Sequence, residues 1–460
     1  MIQGLAAQEA DLHPRGLFET PQEGFYGAEY YEQRRQQQKR QEQRRQEQRL
    51  EDAEFYEEGF YEDGLYARLP GSTQDSDSWK DYFGLSISAI VSGESNVFLN
   101  NEDEQSDIIF SIAPTLTFRT PGLFGEDNAI SDYITPRVSI SYTPSYRMYS
   151  KNSELDGFNH SLRFNFNNAA GFDISLPKTT ISFDLDYNQS QGTSRFSNGF
   201  TESQRLSSGV RVAHALSGKT SLNFGARASL NNFDSADLID DITYNFNAAL
   251  MYQATGKISI GPYVGYGISN LSGSAGGLQN TQDRHSYSAG ARMNYQASGK
   301  TTFTGSVGWS TYEFSGPGAT GAVTSGEGKS SVVWRAGVNH RLSPKITLRG
   351  SLWRDYKPSN NIVNTAYVAT GLSLSAGYSQ SDRLTHTATL TYENDDYFSD
   401  DPSGGTLNND YYRITLGSNY RFNNGLSLGA NVSSSAQSSN ESANNFDNWI
   451  FSLYANYVFW

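Results

Sequence analysis

From Trp79 to Trp460 the chain changes character at every second residue. In "LNFGARASL", Leu222, Phe224, Ala226, Ala228 and Leu230 fall on one face of an extended chain. Asn223, Gly225, Arg227 and Ser229 fall on the other. Ile258, Ile260, Val264, Tyr266 and Ile268 stand in the same way against Ser259, Gly261, Gly265 and Gly267. So do Tyr412, Ile414, Leu416 and Tyr420 against Arg413, Thr415, Gly417 and Asn419. A period of two predicts β-strands with one apolar and one polar face. About 18 such segments follow one another with almost no helical pattern between them.

A chain of 460 residues ordinarily holds two or three soluble domains, although closed β-architectures run long as single units. Only 37% of the residues are hydrophobic, which is low for a large globular core, yet 26 Phe and 29 Tyr argue against general disorder. No apolar run approaches the length of a membrane-spanning helix. The absence of cysteine disfavours a disulfide scaffold and a cysteine-ligated metal.

Residues 1–78 have different physics. "MIQGLAAQEA" reads either as the stub of a secretory signal or as a flexible end. From Glu32 to Arg49 there is no apolar residue to bury, so this stretch is a solvated helix or a disordered, Gln-rich polyelectrolyte. It is expected to form a periplasmic arm, with the cell wall or a periplasmic partner as its candidate contact. Its arginines are interspersed with Glu and followed by the acidic segment 51–63, which cancels the field that nucleic-acid binding needs.

"HALSGKTSL" (214–222) contains a Gly-Lys-Thr that invites comparison with a phosphate-binding loop. "YQATGKISI", "YQASGKTTF" and "HRLSPKITL" repeat the arrangement roughly every 40 residues. A phosphate loop needs a second glycine five residues earlier and a helix afterwards, but Ala213 and Asn294 occupy those earlier positions and strands follow. The repeats are instead hairpin turns, in which Gly218, Gly256 and Gly299 are expected to supply positive φ.

Between these turns lie longer polar connections, such as 190–203, 269–284, 314–329 and 394–409. Short turns on one side and long loops on the other predict an all-β fold. The expected form is a closed antiparallel transmembrane β-barrel over 79–460, of about 18 strands with 16 as the alternative, in a bacterial outer membrane. The wall must close, because unpaired strand edges cannot sit in lipid. With both termini periplasmic, the strand number must be even. Four residues before the turns come His214, Tyr252, Tyr295 and His340; ten residues from them come Phe246, Tyr266, Trp309 and Trp334. All eight fall on the apolar face, as two interfacial rings on the order of 15 Å apart. This placement makes the histidines belt residues, not metal ligands. The last strand carries its apolar face on Trp449, Phe451, Leu453, Ala455, Tyr457 and Phe459, one residue out of phase with Trp460. It is an imperfect form of the signal read by the barrel assembly machinery.

The first hairpin, "LSISAIVSGESNVFLNNEDEQSDIIFSIAPTLTF" (85–118), carries a Glu-Ser-Asn-x-Phe turn approach, Ser106-Asp107 and Ile112-Ala113-Pro114. In these it resembles the outer-membrane beta-barrel porin family, second type, of Gram-negative envelopes. The resemblance implies a pore-forming barrel over about residues 80–460 and no catalytic residues. Some members resemble barrels of polysaccharide export.

On the polar face stand Arg163, Arg211, Arg227, Arg292, Arg335, Arg349 and Arg413, with Asp184 and Asp186. Facing a water-filled lumen, they either bias it towards anions or are neutralised by carboxylates. Gly225, Gly265, Gly267, Gly290, Gly337 and Gly417 keep the wall open. Asp395, Asp396, Asp400 and Asp401 read as a solvated acidic loop, with cation binding or bridging of lipopolysaccharide as the alternative. "QDRHSYS" offers Asp283, His285 and Ser286 as the best hydrolase constellation, but neighbours this close on one strand do not converge on a reacting atom. The expected function is therefore a porin-like channel for small polar solutes, anionic ones among them, with no enzyme activity and no cofactor. Outer-membrane lipid and lipopolysaccharide are its surroundings. The alternatives are an export barrel and, behind it, an adhesive or structural barrel.

Overall fold

The computed structural model of the chain describes residues 82–119, 137–168, 178–195, 199–235, 238–275, 278–280, 283–316, 328–359, 366–398 and 406–459. The N-terminal extension, 1–78, lies outside the described residues. The strands are β1 (Phe83–Glu94), β2 (Asp107–Arg119), β3 (Arg137–Tyr149), β4 (Gly157–Asn168), β5 (Thr179–Ser194) and β6 (Gly199–Ala215). Next come β7 (Thr220–Phe233), β8 (Asp240–Gln253), β9 (Ile258–Ala275), the three-residue β10 (Leu278–Asn280), β11 (Asp283–Ser298) and β12 (Thr301–Ser315). The remainder are β13 (Gly328–Ser343), β14 (Ile346–Pro358), β15 (Ala366–Ser379), β16 (Leu384–Tyr397), β17 (Asn408–Arg421), β18 (Leu426–Ser439) and β19 (Phe446–Val458).

Each strand pairs antiparallel with its sequence neighbour. β10 only extends a hairpin at the end of β9, and β9 pairs directly with β11. β1 and β19 pair from Ser86–Val458 to Glu94–Ile450, so the sheet closes on itself as a barrel of eighteen staves. At a strand spacing of about 4.8 Å and a tilt of about 40°, eighteen staves enclose a ring roughly 35 Å across between backbones.

The apolar face points outward. Leu222, Phe224, Ile260, Val264, Ile414, Leu416, Phe451 and Leu453 are all exposed large hydrophobics, which is the reverse of a soluble protein and what lipid requires. On β17, Tyr412 and Tyr420 bracket Ile414 and Leu416; eight residues at this tilt span about 20 Å, close to the height of an outer-membrane apolar band.

The Gly-Lys turns are hairpins, but not for the expected reason. Gly218, Gly256 and Gly299 do not take positive φ; among the described glycines only Gly316 and Gly425 do. The residue before each glycine or proline closes the turn instead. Its hydroxyl accepts the N–H two residues on: Ser217 from Lys219 (3.2 Å), Thr255 from Lys257 (3.1 Å), Ser298 from Lys300 (3.1 Å) and Ser343 from Lys345 (3.2 Å). This side-chain-capped turn needs no left-handed residue.

On the opposite side, much of what reads as polar loop is strand. β5 and β6 continue their ladder to Ser194–Gly199, so 190–194 and 199–203 form a two-stranded ribbon. Asp395 and Asp396 belong to β16, while Asp400 and Asp401 lie outside the described residues.

Candidate functional site

The polar face encloses the lumen. Asp184, on β5, leans over Gly209 of β6 to reach Arg227 of β7, 2.8 Å away. A Cβ on residue 209 would stand 2.8 Å from the Asp184 carboxylate, so the glycine makes the reach possible. The same carboxylate lies 3.6 Å from Arg211, and Arg163 lies 3.8 Å from Asp186. On the far wall Arg335 pairs with Asp355 at 2.8 Å. Arg292 lies over the ring of Tyr263, 5.3 Å from its centroid, and Arg413 donates to Ser433. Arg349 stands between Asn339 and Ser375 in the ladder.

Gly290 is not simply open wall. With Gly308 it seats the Tyr263 ring, since a Cβ at either position would lie within 3 Å of Tyr263 atoms. Gly371 receives the Trp353 ring in the same way.

The two outer rings follow the register. Phe246 pairs with Tyr266; relative to that row, Trp309 lies two residues lower and Trp334 four. His214, Tyr252, Tyr295 and His340 drop two residues at each step. A drift of about one residue per strand is what a single height demands of tilted staves. His214 and His340 are bonded through Nδ1 to the hydroxyls of Thr179 and Thr301. Among the described residues no cluster of three metal-ligating side chains occurs. His285 contacts the outward Tyr266, whereas Ser286 has the opposite parity, so the "QDRHSYS" residues do not converge.

The most strongly built feature lies at the mouth opposite the short turns, and parity did not announce it. The β4–β5 ladder ends at His160–Gln189, and β6–β7 ends at Ser203–Phe233. Beyond these points the β5–β6 ribbon keeps one backbone bond to the β7 side, from the Asp234 N–H to the Glu202 carbonyl (2.9 Å), and turns into the barrel. Its Gln191 N–H donates to the lumen-facing Asn159 (2.7 Å), and Arg147 donates to the Gln191 carbonyl (3.2 Å). Thr193 donates to the Val97 carbonyl. At its end Arg195 meets Glu393 at 2.7 Å and Asp395 at 3.2 Å, both on β16. Around the ring β16 is eight staves from β5, nearly opposite, so this contact crosses the lumen.

The receiving wall is also in-folded. β13–β14 pairing ends at Trp334–Arg354, and above it Tyr356 and Val368 pack on the lumen side of β12 and β13, against Tyr312 and Val333. Arg284, fully buried, fixes this hairpin by donating to the Ser359 carbonyl (3.2 Å) and to Ser269 (2.9 Å). Glu393 thereby receives Lys357 at 2.5 Å and the Trp353 indole N–H at 3.2 Å, besides Arg195. The Arg195 guanidinium lies 4.5 Å from the Tyr411 ring centroid.

Asn394, Asp396, Asn408 and Asp410, the outward-parity residues at this level, are all polar, so the cluster stands above the hydrocarbon. Asp395 is 0% exposed; burial, reinforced by the neighbouring Glu393 charge, pushes its carboxyl up to about 7. Burial also opposes the Glu393 charge, but Lys357 and Arg195 outweigh it and hold that carboxyl below its ordinary value. Asp395 is thus not part of a solvated acidic loop. Sequence could have placed Glu393 and Asp395 on the lumen face by their parity with Thr391; nothing local pointed to Arg195.

A closed eighteen-stave wall, greasy outside and charged within, defines an outer-membrane β-barrel of the transport class from a Gram-negative envelope. A family profile described as TonB dependent receptor-like, beta-barrel, matches residues 95–371, and the chain belongs to that family. The resemblance of residues 85–118 to second-type porins and this membership agree on an outer-membrane barrel. No curated protein sequence matches the chain. Among solved structures, the ferric-catecholate import receptor Fiu of E. coli K12 is 12% identical over 81% of each chain, with a TM-score of 0.43. OccK2 (OpdF) of Pseudomonas aeruginosa is 10% identical over 82% of this chain and 98% of its own, at 0.44. OpdQ of the same organism is 11% identical over 83% and 99%, at 0.42.

Proposed function

We propose that the barrel is a channel through which small polar solutes diffuse, anions in preference to cations. The observation that carries this reading is the balance of fixed charge in mid-lumen: Arg163, Arg211, Arg227, Arg292, Arg335 and Arg413 stand against Asp184, Asp186 and Asp355, with Asp184 serving two of them, while Arg349 lies lower, next to the His340 row. A ring of fixed positive charge favours anions. On this reading the protein has no catalytic role, and the resemblance of residues 85–118 makes it a porin of the second type. Residues 1–78 form a periplasmic arm, and β19 is the strand handed to the barrel assembly machinery. Purified full-length protein in planar bilayers, under a KCl gradient, should give a reversal potential of the anion-selective sign. A cation-selective sign overturns the preference.

Family membership favours a second reading, an energised receptor whose mouth opens when a periplasmic partner acts. It predicts no uptake in cells whose membrane potential has been collapsed, whereas diffusion continues. A polysaccharide export barrel, the third reading, predicts conductance only after a periplasmic partner docks on residues 1–78.

A further inference from the structure

The group that ties the mouth together and the pocket that holds it come from different parts of the barrel. Glu393, Asp395, Tyr397, Tyr411, Tyr367, Trp353 and Lys357 all belong to β14–β17, four consecutive staves bonded edge to edge. Arg195 alone arrives from across the lumen, at the end of a ribbon whose neighbouring ladders end at Gln189 and Glu202. The walls of the pocket therefore persist if the ribbon swings away.

Resting on the channel reading, we propose that Glu393, Asp395 and the Tyr411 ring form a receptor for guanidinium groups of external solutes, occupied in this state by the chain's own Arg195. A solute that replaces Arg195 frees the β5–β6 ribbon from the far wall and opens the mouth. The chemistry is specific. Glu393 and Asp395 alternate on one strand face and converge on a single cation, at 2.7 and 3.2 Å, with side chains 5% and 0% exposed. The aromatic face 4.5 Å away suits a planar, weakly hydrated guanidinium better than a hydrated ammonium. Lys357 stays with Glu393, so departure of Arg195 leaves the Asp395 site without its cation; a buried carboxylate that loses its partner is strongly disfavoured. Opening is then an exchange of one cation for another rather than a spontaneous release.

The test uses full-length protein in planar bilayers, with methylguanidinium or tetramethylammonium chloride added to each side in turn at constant ionic strength. Methylguanidinium should raise conductance saturably from one side only, and tetramethylammonium should not. Arg195→Ala should conduct at the raised level without ligand and show no further response. Calorimetry on the detergent-solubilised protein should show methylguanidinium binding at least tenfold more tightly to Arg195→Ala than to the unsubstituted chain. That gain should be lost when Glu393→Gln and Asp395→Asn are added. Circular dichroism reports whether each variant keeps its barrel, and Arg195→Lys, which retains the charge, should stay closed if Arg195→Ala fails to fold. Equal binding to both chains, or an open Arg195→Ala channel that binds no methylguanidinium, overturns the receptor. If no chain conducts but the tenfold binding gain is found, the channel reading fails and the receptor stands.

Discussion

Replacing Asp184 by Asn removes one negative charge from mid-lumen and leaves the wall geometry alone, because Asn keeps the shape that lies over Gly209. Asp184 sits 2.8 Å from Arg227 and 3.6 Å from Arg211, so its loss uncovers positive charge in one place. An ion passing about 8 Å away in water feels a change of roughly 0.5 kcal/mol. Screening over a Debye length of about 10 Å at 0.1 M salt reduces this to roughly 0.2 kcal/mol, and at 0.01 M, with a length of about 30 Å, to roughly 0.4. The sign is favourable for anions and unfavourable for cations, so the two effects multiply in the permeability ratio. Anion over cation preference should rise about twofold at 0.1 M salt and about fourfold at 0.01 M. Arg227→Gln should move it the other way by a similar factor. The assay is the reversal potential of single barrels under a salt gradient, repeated at both ionic strengths. A shift of the same sign in both variants, or one that does not grow as salt falls, refutes the view that these side chains face the conducting water.

The outer and inner faces should respond oppositely to charge. Leu416→Arg, at a side chain 50% exposed between Tyr412 and Tyr420, should cost about 2–4 kcal/mol in urea titrations of the barrel in vesicles, while the lumen-facing Thr415→Arg should cost far less. Equal costs would mean the faces are misassigned. Thr255→Val removes the hydroxyl that accepts from Lys257 and Ile258 and should lower stability by about 1 kcal/mol, whereas Gly256→Ala, at a glycine without positive φ and with open space around it, should be close to neutral; the opposite order would restore the glycine as the turn-forming residue. The mouth should also respond to pH. The groups facing Asp395 are Arg195, Lys357, Glu393, Tyr367 and Tyr397; burial and the Glu393 charge raise its carboxyl from 3.8 to about 7, and Arg195 pulls against that rise. Because Arg195 lowers the Asp395 pKa, the tethered pocket holds this proton less tightly than the same pocket without Arg195, so acidification below about 7 loosens the tether and raising pH through 7 tightens it, by up to tenfold per pH unit. Glu393, held below 4.5 by Lys357 and Arg195 against its burial, acts in the same sense below that value. Conductance that falls on acidification from pH 7 to 5 would contradict this linkage.

The barrel was legible because its rule is local. Alternation along "LNFGARASL" assigns each side chain to a face without knowledge of any distant residue, and counting such segments gives about 18 strands, with 16 as the alternative. The same rule put Arg211, Arg227, Arg335 and Asp184 on the lumen side. It did not find Asp355 as the partner of Arg335, because that pairing depends on the register between β13 and β14. Alternation also says which side of a ribbon a residue occupies, not what lies beyond it. Gln189, Gln191, Glu202 and Gln204 continue the outward parity of Leu185 and Leu206, but above the last β4 rung that side meets the inner wall rather than lipid. The change from leucine to glutamine on one parity is the trace of this turn in the sequence, and it looks the same as an ordinary loop.

Two hairpins obey the same physics at the mouth. A ribbon that leaves its neighbour exposes backbone N–H and C=O groups along an edge, and these must find other partners. For β5 the replacements are side chains: Asn159 accepts the Gln191 N–H and Arg147 donates to the Gln191 carbonyl, so one residue recovers both bonds that a longer β4 would have provided. For the β14 hairpin the replacement partner is Arg284, which donates to the Ser359 carbonyl, while packing of Tyr356 on Tyr312 and Val333 holds the hairpin inward. The two solutions differ in what holding them requires. The β14–β15 hairpin keeps its ladder to β16 as far as Tyr367–Tyr397, and its anchor is a buried guanidinium on a carbonyl beside it. The β5–β6 ribbon keeps a single backbone bond to the β7 side, at Glu202, and the far contact that fixes its end is a charge pair across the lumen. Of the two, only the ribbon is held by an interaction that another soluble cation can imitate, which is why movement at the mouth belongs to β5–β6 while β14–β17 stay as the wall it closes against.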